Sequence, residues 1–382
     1  MPSPDQQYLL SIDNGTQSIR AMVFDQRGEL LAKSKVDIES YRSDAPGLAE
    51  QDAEYFWDRL CEACQALWPM LDFPRDQISA VSVTTQRATV VPLGANGQPL
   101  HPAISWLDQR RVDSRPQLGL LYQLATRAIG AYGAVAEFYG DAEANWFAEQ
   151  RPEIWQQVDK YLLLSGYHTF RLTGGYTDAV ASQVGYIPFD FKRQRWATGG
   201  DWRWKALPIL RRMLPELRPA GESLGPVSQT AADETGIPVG IPLIASGSDK
   251  ACEVLGSGCM TADTGSLSFG TTATFNITTD KYFQADRFHP AYPGVVPGTF
   301  NPEMAVRRGF WMVSWFKNEF GLREQRLADQ QGVAPESLFD ELLEAVPPGS
   351  EGLLLQPYWS AGTCPAGPEA RGAIIGFSDV HT

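Results

Sequence analysis

The chain has 382 residues, 43% hydrophobic and 20% charged, with a formal net charge of −13. Such a length predicts two domains with a sizeable core, and the charge argues against nucleic acid or an anionic membrane face as a partner. No stretch reaches the ~20 apolar residues of a membrane-spanning helix, and Met1–Gln7 has neither the basic nor the apolar part of a secretory signal, so a cytoplasmic protein is expected.

The first predicted elements are strands joined by tight turns. Tyr8 to Asp13 reads as a strand, Asn14-Gly15 as a turn and Ile19 to Phe24 as the next strand. Arg27-Gly28 turns into a third through Leu30 and Leu31. Asp52 is the expected N-cap of a helix from about Ala53 to Leu71, because Phe56, Leu60, Cys64, Leu67 and Leu71 recur at helical spacing. Cys61 and Cys64 form a C-x-x-C inside it. No further Cys or His follows at ligand spacing, so they are expected to be buried helix cysteines rather than a zinc or redox site. Five cysteines do not describe a disulfide framework, and four scattered histidines do not compose a metal site or a triad. A strand follows over Ile78 to Val83, then helical segments near Asn145 to Gln157. Leu243 to Ala245 reads as a strand, Gly247 as a turn, and Asp249 as the start of a helix continuing through Glu253 and Leu255. A second hairpin is centred on Gly270-Thr271-Thr272. The Pro-rich stretches Pro208–Pro226 and Pro335–Pro348 read as surface connections. This alternation of strand and helix predicts an α/β fold.

The chemistry gathers at strand ends. In IDNGTQSIR, Asp13 ends a strand and is followed by Gly15, Thr16 and Ser18. Glycine lets a phosphate approach the backbone, successive N–H groups form an anion nest, and an adjacent carboxylate suits a hydrated Mg2+. An ordinary hairpin accounts for the same residues. Neither a P-loop nor a G-x-G-x-x-G fingerprint is present. Asp249, at the head of its helix, is placed to accept a hydroxyl proton, or else serves as a helix N-cap. Two Gly/Thr hairpins, each with an acid nearby, would clamp one nucleotide from opposite sides. Gln86 and Arg87 follow a strand at its carboxyl end, where open α/β sheets bind ligands.

These motifs, in this order, resemble the FGGY carbohydrate kinases, the family of glycerol kinase and xylulokinase. IDNGTQSIR resembles the family's first phosphate motif, SFGTTATF its second, and GIPLIASGSDKACEVLGSG the segment carrying its catalytic aspartate. WFAEQRPEIWQQVDKYLLLSGYHTFRLTG, TDAVASQVGYIPFDFKRQRW and GSEGLLLQPYWSAGTCPAGPEARGAIIGFSDVH extend the match over essentially the whole chain. The resemblance implies an α/β fold of two RNase H-like (actin-like ATPase) domains, each a central mixed sheet with flanking helices. It places the N-terminal domain at residues 1–254 and a partial C-terminal domain at 255–382, the adenosine-binding part being absent. It implies ATP and Mg2+ as cofactors and phosphorylation of a primary hydroxyl of a small polyol or ketose.

By the same resemblance Asp249 is the general base. Asp13, with Asp249, is a metal-associated acid, and Gly15, Thr16, Gln17, Ser18, Arg20, Gly270, Thr271 and Thr272 line the phosphates. Gln86, Arg87, Trp106, Asp108, Asp249 and Lys250 are the substrate candidates, with Asp178 and Ser182 behind them. A structural ion pair beneath a packed Trp accounts equally for Trp106, Asp108 and Arg110. Ala88 stands where glycerol kinase has an acid and Lys250 where it has Gln, which points away from glycerol toward a chain of about four to six carbons. A homodimer is one possible assembly. Two other readings stand beside the kinase: an actin-like nucleotide-binding protein without turnover, and an inactive truncated kinase.

Overall fold

The computed structural model describes residues 7–116, 118–128, 130–270, 272–285, 289–306, 309–359 and 370–381. The chain divides into two units. The first comprises Met1–Met260 with Thr279–Tyr282 and Ala291–Asn301, and the second comprises the remainder.

The first unit opens with β1 (Tyr8–Asn14), β2 (Ser18–Phe24), β3 (Leu30–Asp37), β4 (Glu50–Gln51) and α1 (Ala53–Leu67). Next come β5 (Ile78–Thr85), β6 (Val90–Leu93), β7 (Ala103–Ile104), α2 (Leu120–Ala128), α3 (Tyr132–Asp141), α4 (Glu143–Gln150) and α5 (Pro152–Trp155). They lead to β8 (Lys160–Leu163), α6 (Leu164–Thr173), β9 (Thr177–Ala179), β10 (Phe189–Asp190), β11 (Arg195–Trp196) and α7 (Arg203–Ala206). β12 (Glu216–Arg218), β13 (Ser223–Pro226), α8 (Gln229–Thr235), β14 (Pro242–Ile244) and α9 (Asp249–Gly256) complete this run.

Six strands form the main sheet in the order β13-β14-β5-β1-β2-β3. β1, β2 and β3 are antiparallel neighbours, whereas β1 with β5 and β5 with β14 are parallel. Gly28, at φ +84, takes the left-handed turn between β2 and β3. The sheet buries Leu10, Ile12, Ile19, Val23, Val81 and Leu243 against helices α1, α6 and α8. From α1 come Phe56, Trp57, Leu60, Cys64 and Leu67, at the spacing that puts them on one helix face. Asp52 caps this helix, its side chain accepting from the Glu54 amide at 3.0 Å. The helix ends at Leu67 rather than Leu71, because Pro69 has no N–H to continue the ladder and a 3-10 turn takes over at Trp68–Met70.

A second core surrounds the sheet β4-β7-β6-β8, with Val90, Ile104, Phe147, Tyr161 and Phe189 at its centre. The helical stretch expected over Asn145 to Gln157 is two helices. Arg151, held at φ −138 and ψ 53 before Pro152, breaks α4 from α5. The two Pro-rich stretches are more ordered than their composition suggests. Pro208–Pro226 contains β12 and β13, the latter an edge strand where Pro226 costs no ladder bond, and Pro335–Pro348 contains a helix over Ser337–Glu344.

The second unit carries β15 (Gly265–Phe269) and β16 (Ala273–Ile277); the first unit's β17 (Tyr292–Pro293) and β18 (Phe300–Asn301) precede β19 (Glu303–Val306). β15, β16 and β19 form an antiparallel sheet. Helices α10 (Trp311–Phe320), α11 (Leu322–Gln331) and α12 (Ser337–Glu344) follow, then the ladder of β20 (Leu354–Gln356) with β21 (Ala373–Ile375). Leu267 faces Phe275, which faces Met304 across the strands, and all three are exposed. Among the described residues, no helix is long and apolar enough to cross a membrane.

Candidate active site

Parallel strands point their carboxyl ends to one edge of a sheet, so the residues following β1, β5 and β14 meet there. Asp13 is the register partner of Thr84, and Asn14 of Thr85. Thr84 Oγ1 donates to the Gly247 carbonyl at 2.8 Å, and Ser246 Oγ to the Val83 carbonyl at 2.5 Å. These bonds tie the β14–α9 turn to the end of β5. Gly247 has no room for a side chain: a Cβ there would lie 2.9 Å from Val295 and 3.0 Å from Ala181.

The first hairpin differs from the expected Asn14-Gly15 turn. Asn14 remains in the ladder opposite Ile19, neither Asn14 nor Gly15 has a positive φ, and the Gly15 amide donates to the Ser18 carbonyl at 3.1 Å. The turn is therefore carried by Gly15 to Gln17. Asn14 is kept in the strand by a partner far along the chain: its Oδ1 lies 2.8 Å from Nε2 of His168, a buried residue on α6. Burial pushes the His168 ring down to about 3, so it stays neutral, with Nε2–H the donor. At the hairpin tip the Thr16 and Gln17 amides meet no acceptor among the described residues. Ser18 is buried, and Arg20 binds Asp13 through Nη1–Oδ2 at 2.7 Å.

Asp249 is the first residue of α9 and not its cap. Ser248 takes the capping role, accepting from the Ala251 amide, which leaves the Asp249 carboxylate for other work. One of its oxygens accepts from the Lys250 amide at 2.7 Å. Burial pushes this carboxyl above its ordinary value; the Arg87 guanidinium, then the Lys250 amide and ammonium, pull it back, and Asp13 pushes it up again. Arg87 and Asp13 thus both lie close enough to act on the Asp249 carboxyl. Arg87 also stacks over Tyr292, 5.2 Å from the ring centroid.

The other substrate candidates separate. Gln86 donates its backbone N–H to the Asn14 carbonyl at 2.9 Å, and its buried side-chain amide has no hydrogen-bond partner. Trp106 is half exposed and donates its indole N–H to Thr16 Oγ1 at 3.2 Å, bringing it to the tip of the first hairpin. Asp108 is spent on structure: its carboxylate binds Arg110 at 2.7 and 2.8 Å and the Ala49 amide at 2.6 Å. Arg110 also reaches Glu50 at 2.5 Å and stacks over Trp146, not Trp106, at 4.3 Å. The Lys250 ammonium pairs with Glu253 at 2.6 Å. Asp178 and Ser182 are buried away from solvent. Cys61 and Cys64 are buried on α1, and burial raises both thiols, Cys61 to about 12.

In the second unit, β15 and β16 form the second hairpin, with Phe269 opposite Ala273. The Gly270 carbonyl accepts from the Phe310 amide at 2.9 Å, Thr272 is half-buried, and Thr271 lies outside the described residues.

Residues 8–256 match the model for the N-terminal domain of the FGGY family of carbohydrate kinases. The uncharacterized sugar kinase YgcE of Escherichia coli is 27% identical over 372 residues, 97% of this chain and 68% of that protein. The xylulose kinase of Lactococcus lactis is 27% identical over 378 residues, 98% of this chain and 72% of that protein. The ligand-bound xylulose kinase structure from Lactobacillus acidophilus superposes with a TM-score of 0.80 at 20% identity, covering 98% of this chain and 74% of that one. The fold is the RNase H-like, actin-like one of these kinases.

Proposed function

The chain belongs to the FGGY family of carbohydrate kinases, and from that premise we propose that it transfers the γ-phosphoryl group of ATP to a primary hydroxyl of a small polyol or ketose, with Asp249 as the general base. The observation that carries this reading is the convergence of Asp13, Arg87 and Asp249 at the carboxyl ends of the parallel strands β1, β5 and β14, with Ser248 and not Asp249 capping α9. Phosphoryl transfer passes through a loose transition state, so the protein mainly aligns the groups and neutralises charge. Asp249 takes the proton of the attacking hydroxyl. Arg87 holds the sugar by donating to its oxygens, and Ala88 leaves space for a chain longer than glycerol. Lys250 stands next to the base as a further donor.

The residues suit a nucleotide carried with its metal. The Thr16 and Gln17 amides are free to donate to phosphate oxygens, and Ser18 and Arg20 flank them on β2. Among the described residues no three acidic, His or Cys side chains converge into a metal cage. A hydrated Mg2+ needs only one or two carboxylates besides the phosphates, which Asp13 supplies, with Asp249 nearby. The ion would neutralise phosphate charge. Gly270 to Thr272 are the proposed second set of phosphate contacts.

The test is sugar-dependent ADP release over a panel of polyols and ketoses, for the wild type and Asp249→Asn. The variant keeps size but loses the base, so turnover should fall by about 10²–10⁴-fold while MgATP binding by calorimetry persists. Undiminished turnover in Asp249→Asn removes the base assignment. MgATP binding without ADP release on any sugar favours a nucleotide-binding protein over a kinase.

A further inference from the structure

The segment from β9 to Val184 touches both halves of the proposed site. Its Ala181 forms a parallel bridge with Gly247, and the Ser248 amide donates to the Ala181 carbonyl at 3.0 Å. Three residues on, the Val184 carbonyl accepts from the Ala88 amide, also at 3.0 Å. Ala88 sits at φ +51, in the left-handed region that side chains other than glycine avoid. A single loop therefore grips the neighbour of Asp249 at one end and the neighbour of Arg87, in an unfavourable backbone conformation, at the other.

The loop is held by a closed set of buried bonds. Asp178, 1% exposed, accepts from Ser165 Oγ of α6 and from Gln183 Nε2, both at 2.8 Å through Oδ2. Its Oδ1 accepts from the Ala179 amide at 2.8 Å, and Gln183 Nε2 also reaches the Ala179 carbonyl at 3.0 Å. Gln183 thus folds back on the start of its own loop, and Asp178 fixes that fold to α6. A buried carboxylate requires such donors, and removing one leaves a polar atom without a partner where water does not replace it. A surface loop with this sequence would have no such constraint.

We propose that Asp178 and Gln183 are positioning residues, locking loop 179–184 into the one conformation that holds Arg87 and Asp249 in register with each other. The loop contributes no group to the chemistry; it couples two turns that belong to different strands. The roles of Arg87 and Asp249 are those of the proposed kinase reading, on which the kinetic consequence rests, whereas the mechanical coupling does not depend on it.

The test separates the two. Gln183→Leu conserves volume and deletes the donor. Backbone hydrogen exchange should then show the Ala88 and Ser248 amides losing protection together, by roughly five- to tenfold, the factor for one net buried hydrogen bond. The β1 and β2 amides should be unchanged. With MgATP and D-xylulose as probes, KM should rise and kcat should fall together, each by about tenfold or more, as displacement of both groups requires. Loss of protection at only one of the two amides, or at neither, overturns the coupling. A lower melting temperature with unaltered KM and kcat overturns the positioning role and leaves a plain stability role. Should Gln183→Leu fail to fold, Ser165→Ala removes a single outer bond and is read by the same amides. Asp249→Asn run in parallel reports on the kinase reading alone, and if the wild type does not turn over D-xylulose, the exchange measurement decides.

Discussion

Arg87 tunes the chemistry of Asp249. Burial holds the Asp249 carboxyl above its ordinary value, and Arg87 is the largest influence opposing that rise. The carboxylate is the form that accepts a proton, so the acid limb of the kcat/KM profile should report Asp249 in the free enzyme. Arg87→Ala removes the cation favouring the ionised form; the carboxyl then rises, and the acid limb should move to higher pH. The same variant should lose about 1.5–3 kcal/mol in kcat/KM for the preferred sugar, the range for a hydrogen bond to a charged group. A limb that stays in place or moves to lower pH would separate the two residues. Both were readable as site candidates from strand-end position. The pairing of Asn14 with His168 was not, because 154 residues separate them and neither lies in a motif that calls for the other.

At the scale of the element, α4 starts with an acid in an unusual place. Glu143 is buried at the head of this helix, and its Oε2 has no hydrogen-bond partner. Burial pushes its carboxyl up to about 8; Asp108 and Asp141 add to the rise, and Arg110 opposes it. The folded-state pKa is above the unfolded one, so this group's contribution to stability is complete below the ordinary carboxylate value and is lost as pH rises through about 8. The melting temperature of the wild type should therefore fall between pH 6 and pH 9, by an amount corresponding to a few kcal/mol. Glu143→Gln, which cannot ionise, should flatten that fall. Parallel curves for the two proteins would show that Glu143 ionises freely in the folded state. Helix α1 shows the complementary case, in which local pattern and tertiary packing agree. Its cap, apolar face and Pro stop are all local, and the structure moves only the last turn.

The whole molecule divides unevenly. The first unit has two extensive apolar cores, whereas Pro302 and Ala328 are the buried apolar side chains among the described residues of the second unit. The sheet of β15, β16 and β19 shows Leu267, Phe275 and Met304 as a continuous exposed apolar row. Local opening is easiest where few apolar groups are buried. The amides of β15 and β16 should therefore exchange faster than those of β1 and β5 by orders of magnitude, measured by hydrogen-exchange mass spectrometry. Equal protection in the two sheets would show that the second unit is stabilised as well as the first.

The α/β class, the family, the strand–turn–strand opening and the acids at strand ends are legible in the amino-acid order alone, because each follows from residues close together in the chain. Asp13 and its glycine turn, and Asp249 at the head of a helix, are local patterns of strand end and helix start. Which of the candidates share a site depends on the packing of distant segments. It drew Asp108 into an ion pair with Arg110, gave the α9 cap to Ser248 and kept Asn14 in its strand through His168. It also set β5 between β1 and β14, so that residues some 230 positions apart act on one carboxylate. Strand order, burial and the pairing of distant polar groups are properties of the packed chain, where a buried donor or acceptor must find a partner wherever the fold supplies one.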